Sequence, residues 1–273
     1  QLAAWHDAGL DLRLGVNISP PLLQQPDFAI RLHTLLAAHP QLPRGALELE
    51  ILETAALDDI PQASRVIADC HRLGVEFALD DFGTGYSSLT YLKDLPANTL
   101  KIDRVFVRDM LWDSGDLAIV EGVIGMSGAF RRTVVAEGVA TLEHADLLLR
   151  LGCDIVQGFG IAQPMPADQL AAWLAAWQPP AAWHDRDKSR PSRDELQLIG
   201  AEVGLRQWTR SLEAAAKGET GDLPAFESNR FAEWFNHEGQ SRYGDASAFA
   251  PIVPLHAELA ALGESLTGAQ LWI

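Results

Sequence analysis

Two adjacent carboxylates, Asp80 and Asp81, follow an apolar run from Val75 to Leu79. A Gly-x-Gly turn at residues 83–85 comes next, and serines at 87–88 stand where a helix could begin. A strand that ends in paired acids and a glycine turn is typical of the catalytic edge of an α/β sheet. Neighbouring acids repel each other, so a divalent cation is their natural partner. The alternative is a solvated acidic turn that leads into a helix cap.

Other predicted strands also carry residues that bind metals or handle protons, within the strand or directly after it. They are Asn17, Glu50 with Glu53, Asp80 with Asp81, Lys101 with Asp103, Glu137, and Gln157. The ends of parallel strands gather on one face, so we expect these side chains to converge. Oxygen ligands without His or Cys favour Mg²⁺ or Mn²⁺ over Zn²⁺. Two such ions close together promote in-line attack of an activated water on a phosphodiester.

Lys101 is the basic residue in this set. On the predicted face it could stabilise charge on a scissile phosphate or hold the attacking water. The alternative is a lysine that extends from a strand end into solvent. For Glu50 and Glu137 the alternative is a solvated strand edge, but apolar residues on both sides of each acid indicate burial.

The composition limits the possible folds and partners. With 273 residues, of which 48% are hydrophobic, the chain can bury one large core or a core and a small second domain. Its net charge of -16 argues against nucleic acid or an anionic membrane as the main partner. No apolar run has the length of a membrane span, and no signal-peptide pattern occurs. Cys70 and Cys153 indicate buried free thiols in a reducing cytosol.

Strand and helix patterns alternate over the first part of the chain, and the strands are short and mostly apolar. The predicted strands are Leu12–Ile18, Leu47–Leu52, Val75–Leu79, Thr99–Ile102, Thr133–Ala136 and Ile155–Ile161. The predicted helices are Asp27–Ala38, Pro61–Leu73, a short one carrying Leu89, Tyr91 and Leu92, Val105–Leu111, Leu117–Ala129, Leu142–Leu151 and Ala167–Trp177. This alternation predicts a parallel sheet covered on both faces.

Six β/α units fit two architectures. An open doubly wound sheet could end at six, whereas a closed barrel needs two more. The first strand is not followed by Gly-x-Gly-x-x-Gly, which weakens the nucleotide-binding open sheet. A helical pattern is already under way at Gln1. We therefore expect a (β/α) TIM-type barrel whose first units lie upstream of this residue.

Proline and charged residues become frequent after Trp177. We expect the barrel domain to cover residues 1–178, a linker to cover 179–192, and a small all-α domain to cover 193–273. The predicted helices of the last domain are Asp194–Lys217, Pro224–His237 and Phe249–Leu266, and we expect the domain to continue beyond Ile273.

Six motifs occur in a fixed order along the predicted barrel. They are Val16-Asn17-Ile18-Ser19, Glu48-Leu49-Glu50-Ile51-Leu52-Glu53, Asp80-Asp81-Phe82-Gly83-Thr84-Gly85-Tyr86-Ser87-Ser88-Leu89, Leu100-Lys101-Ile102-Asp103-Arg104, Val135-Ala136-Glu137-Gly138-Val139 and Gln157-Gly158-Phe159. Over roughly residues 1–178 the chain resembles the EAL family. The resemblance implies a (β/α) barrel that hydrolyses cyclic di-GMP to linear pGpG with two Mg²⁺ or Mn²⁺ ions.

The same resemblance implies a set of metal ligands. One ion would be held by Asn17, Glu50 and Asp80. Asp80 would bridge to a second ion that Asp81 and Glu137 also hold.

The resemblance further implies roles in catalysis and substrate binding. Lys101 would act near the attacking water, together with the metal ligand Glu137. Glu53 would tie down the glycine loop after Asp81, the loop that in this family couples metal binding to dimerisation. Gln157 would line the water and substrate pocket, and Asp103 would support it.

The chain departs from the family pattern in three places. The glutamate of the Glu-Ala-Leu signature, a metal ligand, and a nearby phosphate-binding arginine would lie before Gln1. Ala140 replaces the second acid of the usual Glu-Gly-Val-Glu, and Leu52 stands where threonine is common. We therefore expect residues 1–273 to lack one metal ligand of the family.

The C-terminal helices resemble a zinc-binding helical module of some chemoreceptors and signalling enzymes. The matching segments are Arg206-Gln207-Trp208, Phe231-Ala232-Glu233-Trp234 and Leu255-His256-Ala257-Glu258-Leu259. The module needs three histidines and a cysteine, but here His256 stands with Leu205, Asn229 and Ala260. One histidine cannot hold a structural zinc. We expect a metal-free sensory or packing domain.

Three functions are consistent with these patterns. The first is a cytoplasmic, homodimeric cyclic di-GMP phosphodiesterase with upstream sensory or GGDEF-type domains. The second is an inactive receptor that binds cyclic di-GMP, although retention of the acids and of Lys101 favours the enzyme. The third, an unrelated metal-dependent barrel hydrolase, would share the acids but not the order of the motifs.

Overall fold

A computed structural model describes residues 1–53, 59–84, 89–183, 191–217, 219 and 223–270. The end of the predicted Gly-x-Gly turn, with Ser87 and Ser88, lies outside the described residues, and so do residues 184–190 of the predicted linker. The chain divides into two compact units. One comprises Gln1–Val107 with Glu121–Lys188, and the other comprises Arg108–Val120 with Ser189–Ile273.

The first unit is built on a parallel sheet of six strands that follow one another in chain order. The strands are β1 (Leu14–Asn17), β2 (Leu47–Leu52), β3 (Glu76–Phe82), β4 (Thr99–Ile102), β5 (Thr133–Ala136) and β6 (Ile155–Val156). Every pair of neighbouring strands runs parallel. The predicted β/α architecture of this part of the chain is therefore confirmed.

Burial differs between the centre and the edges of this sheet. Phe77 and Leu79 on β3, and Leu100 on β4, are fully buried. Such apolar central strands are what a parallel sheet covered on both faces requires. At the two edges of the described sheet, Val16 on β1 and Ile155 on β6 are exposed.

Helices connect these strands. They are α1 (Leu2–Asp7), α2 (Pro20–Leu23), α3 (Phe28–Ala37), α4 (Ile60–Leu73), α5 (Leu89–Asp94), α6 (Arg104–Asp109), α7 (Ser114–Ala129), α8 (Leu142–Leu151) and α9 (Leu170–Ala176). The Asp59 side chain caps α4 by accepting a hydrogen bond from Gln62 N at 3.0 Å, and Gly74 ends the helix in the left-handed conformation. Thr141 and Gly152 bound α8 in the same way.

Three predicted strands differ from the structure in their bounds. The first is shorter, because β1 covers Leu14–Asn17 and not Leu12–Ile18. β3 does not stop at Leu79 but continues through both aspartates to Phe82, with an irregular register on the way. β6 has only two residues instead of the predicted seven, because the chain turns at Gly158. The amides of Ile161 and Ala162 both donate to the carbonyl of Gly158, at 3.0 and 3.1 Å.

The second unit contains helices from the C-terminal part of the chain. They are α10 (Arg193–Ala216), α11 (Arg230–Trp234), a π-helix (Phe235–Gly239), α12 (Gln240–Tyr243) and α13 (Ile252–Gln270). Aromatic side chains form its core, with Trp208, Phe226, Phe231, Phe235 and Phe249 all buried. None of the helices within the described residues is both long enough and apolar enough to cross a membrane.

The predicted helix Pro224–His237 is wrong in its first part. A 3₁₀ turn covers Phe226–Ser228, and the α-helix begins only after Asn229. The Asn229 side chain accepts a hydrogen bond from Ala232 N at 3.0 Å, which makes this residue an N-cap. The side chain of an asparagine competes for backbone donors, which explains why the helix starts after it.

Both cysteines are free and fully buried, which confirms the predicted packed thiols. Burial raises the pKa of Cys70 to about 11 and that of Cys153 to about 12. Both groups therefore stay protonated at neutral pH, and neither has the thiolate character of a reactive cysteine.

The substitution Gly74→Ala is expected to destabilise the protein by about 1–2 kcal/mol, the cost of a left-handed conformation for a residue with a Cβ. Gly74 has φ 88°, and an added Cβ would lie 2.9 Å from Arg44 Cγ. Urea unfolding followed by circular dichroism measures the change.

The matched control for this substitution is Gly122→Ala, in the interior of α7. A Cβ there meets nothing within 4 Å, so the variant should be more stable than the parent by roughly 0.5–1 kcal/mol. Equal unfolding midpoints for the two variants would contradict the role of Gly74 as a helix C-cap.

Candidate active site

The side chain of Lys101 lies among three carboxylates, two on the strands β2 and β3 and one directly after β5. Its Nζ is 2.7 Å from Glu50 Oε2, 3.2 Å from Asp80 Oδ1 and 2.5 Å from Glu137 Oε1. Lys101 is 5% exposed, and the carboxylate side chains are between 12% and 19% exposed. The structure thus brings together four residues that are far apart in sequence, in a largely desolvated cluster.

The strand register explains how Lys101 reaches Glu50, although β3 lies between β4 and β2. Glu50 pairs with Ala78, and Ala78 pairs with Thr99. The fully buried Ala78 has a short side chain, which leaves space on β3 for the contact between Glu50 and Lys101, the second residue after Thr99 on β4. Gly15 on β1 leaves further space, because a Cβ at that position would overlap the Glu50 carboxylate.

A β-bulge brings both Asp80 and Asp81 to the cluster. Adjacent residues of a regular strand point to opposite faces of the sheet. Here the register with β4 shifts between Leu79 and Phe82, and Asp81 has φ 55°. Oxygen atoms of Asp80, Asp81 and Glu137 lie within 4.8 Å of one another. The bulge therefore redirects one side chain and makes a pair of acids usable at one site.

The side chain of Lys101 carries a positive charge over the whole physiological pH range. Burial alone would lower the pKa of its ammonium group. Hydrogen bonds to Glu137 and Glu50, and the charges of Glu137 and Asp80, outweigh this effect and raise the pKa above its usual value. The ammonium group is therefore a fixed positive charge within the cluster.

The pKa of two acids is raised above the usual range. For Glu137 the main cause is burial, with Asp80 and Glu50 adding to it and Lys101 opposing it. For Asp81 the main cause is again burial, followed by the nearby charge of Asp80. Both groups would lose protons more readily if a further cation were present.

The residues of this cluster fit a divalent cation. Four carboxylates face one ammonium group, which leaves a net negative charge in a partly buried site. All the donors are oxygen atoms, which Mg²⁺ and Mn²⁺ prefer. Asn17, another predicted ligand, is the backbone partner of Glu50 on the neighbouring strand and lies at the end of β1.

Glu53 and Asp103 make local contacts that shape the site. Glu53 is 1% exposed, and its Oε2 accepts a hydrogen bond from Gly83 N at 3.1 Å. This contact holds the turn directly after the bulge. Asp103 caps α6 by accepting a hydrogen bond from Val105 N at 2.8 Å, and its charge helps to raise the pKa of Asp81.

A cavity of about 570 Å³ lies next to the cluster, within the first unit. Gln157, Glu50 and Lys101 all line it. Gln157 is exposed, while its backbone amide donates to Ala136 O at 2.8 Å. The predicted substrate-binding residue therefore lies at a cavity that two residues of the cluster share.

A second layer of polar side chains lines the same cavity, two residues before Glu50 on β2 and two residues before Lys101 on β4. Thr99 Oγ1 donates to Glu48 Oε1 at 2.5 Å, and Arg13 lies 2.9 Å from Glu76 and 3.6 Å from Glu48. Glu48 is not among the predicted site residues. The alternation Glu48-Leu49-Glu50 was the available signal, since residues two apart in a strand share a face.

The positions of the second unit that matched a zinc-binding module serve packing and capping. His256 stacks on Phe235 with ring centroids 4.0 Å apart, and burial lowers its pKa. Leu205 and Ala260 pack against the aromatic core. Asn229 is the N-cap of α11.

A parallel β/α sheet with an acidic cluster around a lysine defines the class of the first unit as a barrel-type α/β domain whose acidic cluster fits a divalent cation. The EAL domain family model matches residues 1–164. The chain belongs to the EAL domain family.

Three comparisons place the chain within this family. MucR of Pseudomonas aeruginosa, named a bifunctional diguanylate cyclase/cyclic di-GMP phosphodiesterase, is 39% identical over 176 residues, which are 64% of this chain and 26% of MucR. A solved PaMucR phosphodiesterase–c-di-GMP complex matches with TM-score 0.59 and 39% identity, over 62% of this chain and 68% of that one. A manganese/cyclic di-GMP complex of Klebsiella pneumoniae BlrP1 matches with TM-score 0.54 and 32% identity, over 60% of this chain and 42% of that one. The chain spans about a quarter of the length of the curated relatives it matches.

The substitution Lys101→Met is expected to destabilise the metal-free protein by roughly 3 kcal/mol, because three partly buried carboxylates lose their shared cation. Added Mn²⁺ should restore part of this stability, since it replaces the lost positive charge. Urea unfolding with a chelator and then with Mn²⁺ measures both effects.

The matched control is Arg72→Met. Arg72 pairs with Asp69, but the two side chains are 72% and 47% exposed, so its loss should change the stability by less than about 1 kcal/mol. Equal losses in the two variants would contradict the central electrostatic role of Lys101.

The affinity for a divalent cation is expected to fall when the pH is lowered. The fall should begin at a higher pH than in a site whose carboxylates have ordinary pKa values. Burial raises the pKa values of Asp81 and Glu137, so protons compete with the cation at a higher pH than they would at an exposed carboxylate, whose pKa is about 4. The folded state also binds these protons more tightly than the unfolded chain. The metal-free protein should therefore gain stability from these groups as the pH falls through the raised pKa values.

Mn²⁺ titrations and thermal melts between about pH 7.5 and about pH 5 test this prediction. The variant Glu137→Gln should show a smaller dependence on pH in both measurements. A Mn²⁺ affinity that stays constant over this range would contradict the assignment of the raised pKa values to the metal site.

Proposed function

We propose that the protein hydrolyses cyclic di-GMP to linear pGpG with two divalent cations, Mg²⁺ or Mn²⁺. The observation that carries the proposal is the cluster around Lys101, in which carboxylates from β2, β3 and the end of β5 meet one ammonium group. The names of MucR and of the two solved complexes support cyclic di-GMP as the substrate.

The cation ligands would divide into two overlapping sets. Asn17, Glu50 and Asp80 would hold one ion, and Asp80, Asp81 and Glu137 would hold the other. Divalent cations, when bound, lower the pKa of a bound water and stabilise negative charge on the phosphodiester. The second set is supported by the short distances between its oxygen atoms, which all lie within 4.8 Å of one another.

Lys101 would position the attacking water or a phosphate oxygen. Its ammonium group has three N–H donors, and three carboxylates surround it. A carboxylate oxygen that turns to another partner leaves one donor for the water or the phosphate. Because the pKa of Lys101 is raised, this group acts as a fixed positive charge and not as a proton donor.

Glu137 would accept a proton as well as bind a cation. Burial raises its pKa, so its carboxylate is a better proton acceptor at neutral pH than that of an exposed glutamate. Gln157 would contact the substrate from the wall of the adjacent cavity, with Asp103 supporting the site through α6. Glu53 would fix the turn after the bulge.

The proposal extends to the context in which the enzyme works. A cytoplasmic homodimer would couple the turn held by Glu53 to a partner subunit. Sensory or GGDEF-type domains of a longer chain would control it, and the bifunctional name of MucR supports this arrangement. The second unit would act as a regulatory module built on aromatic packing.

Turnover of cyclic di-GMP with Mg²⁺ or Mn²⁺, followed by chromatography for pGpG, tests the proposal. Glu137→Ala and Lys101→Ala should each lower the turnover rate by at least about 100-fold, the usual effect of losing a group that acts in proton transfer. Glu258→Ala, an exposed acid on α13, should leave the rate unchanged.

The outcomes separate the candidate functions. Production of pGpG that both active-site variants abolish supports the phosphodiesterase. Binding of cyclic di-GMP without hydrolysis would overturn it and indicate a receptor. Absence of both binding and turnover in the parent protein would overturn cyclic di-GMP as the ligand.

A further inference from the structure

Two loops at the C-terminal edge of the sheet lie backbone against backbone. The loop after β5 covers residues 137–141, and the loop after β6 covers residues 157–161. Val139 N donates to Gln157 O at 3.1 Å, and Gly160 N donates to Val139 O at 2.8 Å. Gln157 N donates to Ala136 O at 2.8 Å. Two hydrogen bonds thus join the two loops without any side chain, and the third joins the second loop to the last residue of β5.

Two glycines make this approach possible. A Cβ at Gly158 would overlap both the backbone nitrogen and the backbone oxygen of Val139. A Cβ at Gly160 would lie 2.8 Å from Ala140 C and from Thr141 N. The atoms in the way belong to the backbone, so they cannot move aside as the end of a flexible side chain would.

Glu137 lies between fixed points in the first of these loops. Ala136 precedes it on β5 and is fully buried, and Val139, two residues later, is fully buried as well. The amide of Glu137 itself donates to Ile102 O at 3.2 Å. A displacement of Val139 would therefore reach Glu137 through one intervening residue, Gly138.

We propose that Gly158 and Gly160 are positioning residues that hold the Glu137 carboxylate in the cation-binding cluster. The inference rests on the proposed function. In it, the close backbone contact between the two loops is what keeps Glu137 in position. The carboxylate of Glu137 must be positioned accurately. Its Oε1 lies 2.5 Å from Lys101 Nζ, and a carboxylate oxygen of Glu137 lies within 4.8 Å of oxygens of Asp80 and Asp81. Displacements of about 1 Å at such a site have large effects on rate.

The variants Gly158→Ala and Gly160→Ala test this inference through Mn²⁺ affinity, measured by electron paramagnetic resonance without substrate. Partners that orient metal ligands typically contribute about 10–100-fold to metal affinity. We expect a loss in this range for Gly158→Ala and a smaller loss for Gly160→Ala, whose Cβ would be less crowded. Saturating Mn²⁺ should recover much of the turnover lost by Gly160→Ala.

Two glycine controls isolate the positioning effect. Gly125→Ala, in α7, places a Cβ where nothing lies within 4 Å. Gly204→Ala, in the second unit, places a Cβ 2.9 Å from Arg230 Cβ and 3.1 Å from Arg230 N. The first control measures the substitution itself, and the second measures crowding away from the site. Both should leave Mn²⁺ affinity unchanged.

The results also separate this inference from the proposed function. If the parent protein binds Mn²⁺ but produces no pGpG, the phosphodiesterase proposal fails, and the affinities of the glycine variants still decide the positioning role. If the parent does not bind Mn²⁺, the inference fails with the metal site. If Gly158→Ala is too unstable to purify, Gly160→Ala decides, and a parental affinity in a folded variant overturns the inference.

Discussion

The balance of charge around Lys101 is the constraint on which the site depends. Carboxylates of Glu50, Asp80 and Glu137 converge in a partly buried space where their mutual repulsion is weakly screened. One ammonium group contacts all three carboxylates and offsets part of this repulsion. The residual negative charge is what makes the cluster attractive to divalent cations. The same arrangement therefore offsets repulsion among the acids and favours the binding of a divalent cation.

The order of the strands makes this balance possible. β4 carries the lysine and lies between β3 and β5, which carry or precede two of the acids, while Glu50 reaches over from β2. A parallel sheet in chain order places all these strand ends at one edge. Small residues then adjust the distances. Ala78 and Gly15 leave room for the Glu50 side chain, and glycines after β6 let a neighbouring loop support Glu137.

Much of the first unit could be predicted from the sequence, because its signals are local. The bounds of β2, β4, β5 and α8 agree with those predicted from the apolar runs and caps. The convergence of Lys101 with the acids also followed from the topology of a parallel sheet. The bulge at Asp81 and the short β6 did not, since register and close backbone contacts depend on neighbouring strands. The helix start after Asn229 depends on one side-chain hydrogen bond that periodicity does not report.

The backbone at Asp81 has a left-handed conformation, so the shape of the site and its charge can change independently at this position. Asparagine tolerates this conformation about as well as aspartate does, whereas most other residues with a Cβ do not. An exchange of Asp81 for asparagine would therefore keep the bulge and the fold while removing one carboxylate. The role proposed for Asp81 in cation binding would then be lost by one substitution without a change of fold. Evolution could take this route without first having to rebuild the sheet.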